Sequence, residues 1–235
     1  MQHEEVTKLA ELEHRHWWYA ERRAVVAKQL KRLGTPRPGD QALDIGSAAG
    51  GNSAVLAEHG WTVTAADLST TAVTLASQRG VRVLNSDICH LPVKTGSIGL
   101  VCALDVLEHV PADDEAIAEI HRVLRPGATA LITVPASMSL WSAHDEAVGH
   151  VRRYSRKSLL DLVAGSGLKV SDVWSWNVLL RPVAAWRRKR SHGSDLDRPA
   201  AIVNAGLRTI VAAERYLPVG QLPGVSLVLV ARKPA

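Results

Sequence analysis

The chain has 235 residues, of which 46% are hydrophobic and 22% charged, with a formal net charge of +5. This length suits one large domain or one domain with a small addition, and the composition excludes disordered and fibrous classes. Its cysteines, Cys89 and Cys102, are too few and too far apart for a disulfide framework or a cysteine-rich zinc site, and they suit a reducing cytoplasm.

The N-terminal region is predicted to form a long helix. The opening MQHEEVTKLAELEHRHWW is charged and lacks the apolar core of a signal peptide. Apolar and aromatic residues recur from Thr7 to Leu33, and Gly34 and the prolines after it end the pattern. No run of about eighteen apolar residues occurs, so we expect a cytoplasmic protein with no transmembrane segment.

Strand and helix patterns then alternate along the chain. The predicted strands are Gln41–Ile45, Trp61–Ala66, Val81–Leu84, Ile98–Leu104 and Ala128–Val134, and the predicted helices are Gly51–His59, Thr70–Arg79 and Asp113–Leu124. This alternation indicates an α/β fold, a doubly wound parallel sheet with helices on both faces. After Pro135 we predict a helix over Ser155–Ala164, a strand over Leu168–Trp176, a mostly helical stretch over Asn177–Leu217 with a break at Ser191–Pro199, and a final strand over Val225–Arg232.

A glycine loop, ALDIGSAAGGN, directly follows the first strand and opens a helix. Gly46 and Gly50 allow a tight turn and a close approach of the backbone to a ligand, and the helix start offers unpaired N–H groups. Dinucleotide sites and plain tight turns share this feature. By itself, the loop predicts only a candidate ligand site.

Two acids narrow the choice of ligand. Asp67 ends the second strand about twenty residues after Asp44, the offset of a ribose-binding acid, although it could instead cap the helix that starts at Thr70. Asp44 immediately before the loop would disfavour a pyrophosphate. It suits a cationic ligand with an amino group, such as S-adenosylmethionine, and leaves a nicotinamide-dependent oxidoreductase as the runner-up.

Taken in order, these segments resemble class I S-adenosylmethionine-dependent methyltransferases of the group called methyltransferase type 11. ALDIGSAAGGN resembles the first motif, D/E-x-G-x-G-x-G, with Ala48 in place of the second glycine. VTAADLS, LNSDICHLP and SIGLVCALDVLEHV resemble the next three motifs, with Gly99 where the family usually has an acid, and HRVLRPGATALITVP resembles the stretch through the fifth strand. The flanks HRHWWYAERR and HDEAVGHVRRYSRKSL resemble a subgroup of bacterial small-molecule and cell-envelope methyltransferases.

The resemblance implies a Rossmann-like seven-stranded sheet with the last strand antiparallel, plus an N-terminal helix and a helical insertion before that strand. It implies one methyltransferase domain over residues 1–235, with a cap helix (1–34), a cofactor-binding core (40–135) and an acceptor side (136–235). S-adenosylmethionine is the implied cofactor, with Asp67 on the ribose, Asp87 on the adenine amino group, and Trp17, Trp18 and Arg22 over the methionine end. The alternative for the tryptophans is core packing. The implied cofactor-binding residues are Trp18, Arg22, Asp44, Gly46, Ser47, Ala48, Gly50, Asn52, Asp67, Leu68, Asp87, Ile88 and Leu104.

Methyl transfer requires alignment, exclusion of water and, for a hydroxyl acceptor, a base. We expect the acceptor beyond the carboxyl ends of strands four and five, with His144 and His150 as leading bases and His109 next; a solvated loop is the alternative. Arg152, Arg153 and Tyr154 could hold an anionic group or lie in water. No metal-ligand spacing such as H-E-x-x-H occurs, so no metal is expected.

The favoured acceptor is a small molecule, a sugar or secondary metabolite, methylated on oxygen. The sequence lacks the Asn/Asp-Pro-Pro-Tyr/Phe signature of amino-directed enzymes after strand four. Nucleic acid is not the expected partner, although a pI near 9.5 keeps an RNA methyltransferase as an alternative beside a non-catalytic cofactor-binding protein. The run Arg187–Arg190 is interpreted as a solvated or membrane-facing edge, so peripheral membrane contact stays open. The sequence does not specify the acceptor or the oligomeric state.

Overall fold

A computed structural model describes residues 10–13, 15–188 and 199–235. Seven strands form one sheet: β1 (Gln41–Ile45), β2 (Thr62–Asp67), β3 (Arg82–Asn85), β4 (Ile98–Leu104), β5 (Leu124–Pro135), β6 (Lys169–Trp176) and β7 (Ser226–Arg232). The helices are α1 (Trp17–Leu33), α2 (Gly51–Glu58), α3 (Thr70–Gln78), α4 (Asp113–Val123), α5 (Ala143–Ala147), α6 (Arg156–Gly165), α7 (Arg181–Arg188) and α8 (Ala201–Glu214). Short 3-10 turns lie at Leu107–His109 and Met138–Leu140.

The sheet has the strand order β3-β2-β1-β4-β5-β7-β6. β1 to β5 are mutually parallel, and β7 runs antiparallel to both β5 and β6. Every residue of β4 is buried, as expected for a central strand covered by helices on both faces. The predicted seven-stranded fold with an antiparallel last strand is therefore confirmed.

The predicted N-terminal helix is interrupted: residues 10–12 are helical, and the extended His16 separates them from the next helix. Thr7 lies outside the described residues, and the long helix α1 begins at Trp17. His16 is its N-cap, since its ring Nδ1 accepts a hydrogen bond from the Trp18 N–H at 3.2 Å. The backbone of His16 is extended rather than helical, so the single continuous helix predicted from the sequence is broken there.

The predicted insertion before the last strand consists of α7 and α8 within the described residues. Most of the predicted break at Ser191–Pro199 falls outside them, as do Lys189 and Arg190 of the basic run. α8 packs on α1, where the Asn204 side chain accepts a hydrogen bond from the Trp17 N–H at 2.8 Å and donates one to the Arg15 carbonyl at 2.9 Å. The N-terminal helix and the insertion therefore form one continuous cover. No described helix is long and apolar enough to cross a membrane.

Two local departures from the expected pattern have packing explanations. Strand β5 starts at Leu124 rather than Ala128, because Leu124 pairs with Ile98 ahead of a register shift. Gly99 replaces the family's usual acid where a Cβ would lie 3.0 Å from the Trp61 ring and 3.1 Å from the Arg125 guanidinium. A side chain at residue 99 would displace both groups.

Candidate active site

The glycine loop adopts the left-handed backbone that its sequence predicted. Gly46 and Gly50 have φ angles of 65° and 84°. A Cβ on Gly46 would lie 2.4 Å from a methyl carbon of Val106, so glycine is required for space as well as for conformation. Ala48 also has a positive φ, 47°, a strained conformation of the kind that clusters at ligand sites.

Asp67 holds this loop in place. Its Oδ2 accepts a hydrogen bond from the Ala48 N–H at 3.0 Å, and its Oδ1 accepts one from the Ser69 N–H at 2.8 Å. Burial raises the pKa of Asp67, and the two hydrogen bonds oppose that shift. The alternative that Asp67 caps α3 is wrong: Ser69 is the N-cap, and its hydroxyl accepts from the Ala72 N–H.

Asp44 lies beneath the loop rather than on its open side. It is buried and accepts a hydrogen bond from the Ser53 hydroxyl at 2.6 Å, which ties β1 to the start of α2. Burial raises the pKa of Asp44 to about 6. Ser47 and Asn52 are also buried, and the Ser47 hydroxyl has no hydrogen-bond partner among the described residues. An orphaned hydroxyl in a strained loop fits a site built to hold a polar ligand.

The remaining predicted cofactor residues follow the neighbouring strands. Leu68 is exposed at the end of β2, and Leu104 is buried at the end of β4. Asp87 is exposed after β3, where its Oδ1 accepts from the Cys89 N–H at 2.9 Å, and Ile88 beside it is buried. All lie toward the carboxyl edge of the sheet, where doubly wound folds bind ligands. Their contacts with a cofactor stay a prediction.

Helix α1 reaches this edge from the other side. Arg22 pairs with Asp105 directly after β4, with 3.0 Å between Nη1 and Oδ2. Asp105 has a positive φ of 57° and also accepts a hydrogen bond from the Thr133 hydroxyl at 3.0 Å. The rings of Trp18 and Trp176 lie 4.7 Å apart, so Trp18 packs on the end of β6. The predicted closing role of this segment therefore has a structural basis, although part of the Arg22 charge is already neutralised.

A histidine cluster lies next to the Arg22–Asp105 pair. His150 Nδ1 is 2.8 Å from Asp145 Oδ1, and its Nε2 is 3.8 Å from Glu108 Oε1. The His109 ring centroid lies 4.7 Å from that of His150, and the His144 ring centroid lies 6.3 Å from it. The fold thus brings together all three predicted histidines, which come from the loops after β4 and β5.

Burial favours the neutral forms of His109 and Glu108 in this cluster. Burial, and then the charge of His150, lower the pKa of His109 to about 4. Burial, and then Asp105, raise the pKa of Glu108, whose carboxylate oxygens accept no hydrogen bond from the described residues. Burial of Asp145 opposes its ionisation, but the hydrogen bond with His150 and the charge of Arg188 outweigh it and lower the pKa of Asp145. Asp145 is therefore the ionised partner of His150.

The predicted anion site at residues 152–154 does not form. Arg153 is buried and paired with Asp145 at 2.7 Å, so it supports the histidine cluster. Arg152 pairs with Asp113 at 2.5 Å, and the Tyr154 hydroxyl donates to the same carboxylate at 2.7 Å. Both arginines are therefore paired with carboxylates; Arg153 is buried, and the Arg152 side chain is 31% exposed.

A cavity of about 320 Å³ joins the cluster to the cover helices. Its walls include Trp17, Trp18, Tyr19, Arg22, Asp105, Glu108, His109, His144, His150, Asn177, Val183 and Leu207. Asn177 was missed by sequence reasoning. It is buried with a positive φ of 57°, and its amide has no hydrogen-bond partner in the described chain. The only sequence signal was an asparagine directly after a predicted strand.

Three side chains that line this cavity have metal-ligating atoms close enough together to hold a metal ion. Those of Glu108, His109 and His150 are within 4.8 Å of one another. The sequence contains no metal motif here because His150 lies far along the chain from the other two. These three side chains are therefore a candidate metal site that the sequence did not predict.

Comparison with known proteins identifies the core. Residues 43–132 match the methyltransferase domain family. The chain is 32% identical to malonyl-[acyl-carrier protein] O-methyltransferase of Serratia marcescens over 122 residues, covering 51% of this chain and 48% of that protein. It is 29% identical to ubiquinone biosynthesis O-methyltransferase of Paracidovorax citrulli over 138 residues, covering 52% and 58%. The chain thus spans about half the length of these curated relatives.

A solved structure shares the fold. Phosphoethanolamine N-methyltransferase 2 of Haemonchus contortus, in complex with S-adenosyl-L-methionine, superposes with a TM-score of 0.60 at 22% identity, covering 88% of this chain and 51% of that one. The family match over residues 43–132 and the curated relatives support a class I methyltransferase with S-adenosylmethionine as cofactor, and this neighbour, at 22% identity, shares its fold. The strained loop with its orphaned Ser47 hydroxyl fits that cofactor.

Proposed function

We propose that this class I methyltransferase transfers a methyl group to a hydroxyl oxygen of a small molecule bound in the 320 Å³ cavity. The observation that carries the proposal is the Asp145–His150 pair at the wall of that cavity, beside the carboxyl end of β4. The cofactor supplies an already activated methyl group, so the protein has to align the acceptor and take its proton.

His150 is the proposed proton acceptor. Asp145 is buried and ionised, and it receives the Nδ1–H of His150, which leaves Nε2 with the free lone pair. Arg153 and the Ser142 N–H hold Asp145 in place, so the ring is oriented before an acceptor binds. His109 and His144 line the same cavity and are the next candidates.

The neighbouring carboxyl group supports acceptor binding. Because burial raises the pKa of Glu108, its neutral form is favoured and can donate a hydrogen bond to an acceptor oxygen. The orphaned Asn177 amide can donate and accept on the wall of the same cavity. A hydroxylated acceptor such as a sugar or secondary metabolite would satisfy these groups better than an apolar one.

The size and charge of the cavity support a small acceptor over RNA. A volume near 320 Å³ falls in the range of small-molecule sites. Arg22, Arg152 and Arg153 are each paired with a carboxylate, so they do not form a cationic track for a phosphate backbone. O-methyltransferases among the relatives support oxygen as the methylated atom.

The proposal is tested by incubating the protein with methyl-labelled S-adenosylmethionine and a small-molecule extract, and in parallel with bulk RNA. We expect label in a small molecule as a base-stable methyl ether, and none in RNA. Label only in RNA would replace the proposal with the RNA alternative. Cofactor binding by calorimetry with no transfer to either would indicate a non-catalytic binding protein.

A further inference from the structure

Helix α8 exposes an apolar surface to solvent. It packs on the protein through one stripe, in which Val211 and Glu214 are buried and Asn204 bonds α1. The residues on its outer side include Ile202, which is 83% exposed, and the exposed Val203 and Ile210. An amphipathic helix on a soluble protein normally has polar residues on that side.

The apolar surface continues onto neighbouring segments. Trp186 and Val183 are exposed on α7, and Tyr216 and Leu217 are exposed directly after α8. Most of the large hydrophobic residues exposed in the described chain fall between Leu179 and Leu222. Single exposed apolar residues are ordinary, but a concentration of them on adjoining helices marks an interaction surface. We call Val183, Trp186, Ile202, Val203, Ile210, Tyr216 and Leu217 the cover face.

The described segments that carry the cover face have a net positive charge. Residues 177–188 and 199–222 contain five arginines and one acid, Glu214, which is buried and accepts from the Leu179 N–H at 3.1 Å. Arg187 is exposed, and the Arg208 side chain is 62% exposed with its Nε 3.4 Å from the buried Glu21 carboxylate of α1. The cover face therefore presents apolar and aromatic groups among cations, with no exposed anion in the described part of these segments.

We propose that the cover face docks on the surface of an anionic lipid bilayer. Helices with apolar residues on one side and arginines at the margin lie in the membrane interface, where the cations meet lipid phosphates. Trp186 and Tyr216 are the residue types preferred at the headgroup level. With 14 residues, α8 is too short to span the bilayer, so it lies along the surface.

A second copy of the chain fits this surface less well. A two-fold dimer would place the same patch on both subunits and bring Arg187 and Arg208 near their own copies without an exposed acid between them. An anionic surface has the complementary charge. Val183 and Leu207 also line the cavity, so docking would place one wall of the cavity at the lipid surface. An acceptor could then enter the cavity from the lipid surface, an inference that rests on the proposed function.

The test is co-sedimentation of the full chain with vesicles, which needs no acceptor and is therefore independent of methyl transfer. We expect binding to vesicles of phosphatidylcholine with phosphatidylglycerol, at least about tenfold weaker binding to phosphatidylcholine alone, and weakening by salt. Ile202→Asp should lower binding about tenfold or more, because a charge replaces buried apolar area. Met138→Asp, at a residue that is 57% exposed outside the cover face, is the matched control and should bind like the parent.

Two results would overturn the proposal. One is that the parent chain stays in the supernatant with both vesicle types. The other is that Ile202→Asp and Met138→Asp bind vesicles equally well. Analytical ultracentrifugation tests whether a second copy of the chain occupies the cover face instead. A parent chain that is a dimer, an Ile202→Asp variant that is a monomer, and no vesicle binding by parent or variant would assign the cover face to a second copy.

Discussion

The glycine loop and the cavity lie on adjoining parts of the sheet edge, but the contacts that hold them join residues at different separations along the chain. The loop is held by short-range contacts, Asp44 with Ser53 and Ala48 with Asp67, nine and 19 residues apart. The cavity depends on Arg22 with Asp105, 83 residues apart, and on Trp17 with Asn204, 187 residues apart. Changes in the loop should therefore affect cofactor binding, whereas changes in the cover should affect acceptor chemistry and the cofactor contacts predicted for Trp18 and Arg22.

The largest expected effect separates the two regions completely. His150→Ala should lower turnover on the acceptor about 10²–10⁴-fold through loss of the general base, and leave the cofactor dissociation constant unchanged. Added imidazole should restore part of the rate, which a structural defect would not allow. His144→Ala should have a smaller effect, because Asp145 orients His150. Full activity of both single variants and the double variant would move the base to His109, since the raised pKa of Glu108 favours its neutral form.

The same assay tests the metal alternative. We expect full activity after dialysis against a chelator, with Glu108, His109 and His150 acting as a proton-handling group. Loss of activity that zinc or manganese restores would instead make the three residues metal ligands and would correct the expectation of no metal.

Asp67→Ala should affect the loop alone. The carboxylate is predicted to accept ribose hydrogen bonds and is shown to hold Ala48, so cofactor binding should weaken by about 2–4 kcal/mol, or about 30–1,000-fold. Calorimetry measures it, with Asp172→Ala, at a half-exposed carboxylate on β6, as the control. An unchanged dissociation constant in a folded variant would limit Asp67 to a role within the protein.

Asp44→Asn should raise stability while lowering affinity. Burial raises the pKa of Asp44 from 3.8 to about 6, so the folded protein binds the proton more tightly than the unfolded chain. The stability from that proton is fully present below about pH 4 and is lost as the pH rises toward 6. Asn keeps an acceptor for Ser53 without the charge, so unfolding in urea at pH 7 should require about 1–3 kcal/mol more, with little change at pH 3. Equal stability of variant and parent at pH 7 would contradict this.

The smallest expected effect is on amide hydrogen exchange in the N-terminal segment and helix α1. Residues 10–25 should exchange amide hydrogens more slowly with cofactor bound, since Trp18 and Arg22 are predicted to close over its methionine end. Asn204→Ala removes the bond to the Trp17 N–H and should speed exchange there by a factor of about five, corresponding to about 1 kcal/mol. Equal protection with and without cofactor would make α1 a permanent wall instead of a lid.

The sequence predicted those elements whose formation depends on residues close together along the chain. Ile98–Leu104 was predicted with its observed bounds, because a continuous apolar run of this length is typical of a strand buried on both faces. The start of α6 was predicted from Ser155, whose hydroxyl accepts from the Ser158 N–H at 3.0 Å. The predicted continuity of the N-terminal helix was wrong because a histidine cap at His16 has no reliable sequence signal.

The sequence by itself determined the strands and helices of the core, the glycine loop and the acids that follow the strands, since each depends on neighbours within about twenty residues along the chain. The antiparallel last strand was implied by the resemblance, and its pairing joins residues as distant as Thr129 and Arg232. Only the tertiary structure decided what surrounds the histidines. It paired His150 with Asp145, turned Arg153 inward to the same carboxylate, and brought Asn177 to the cavity. Ion pairs and cavities form between segments whose separation along the chain carries no pattern, so their partners become visible only when the chain is folded.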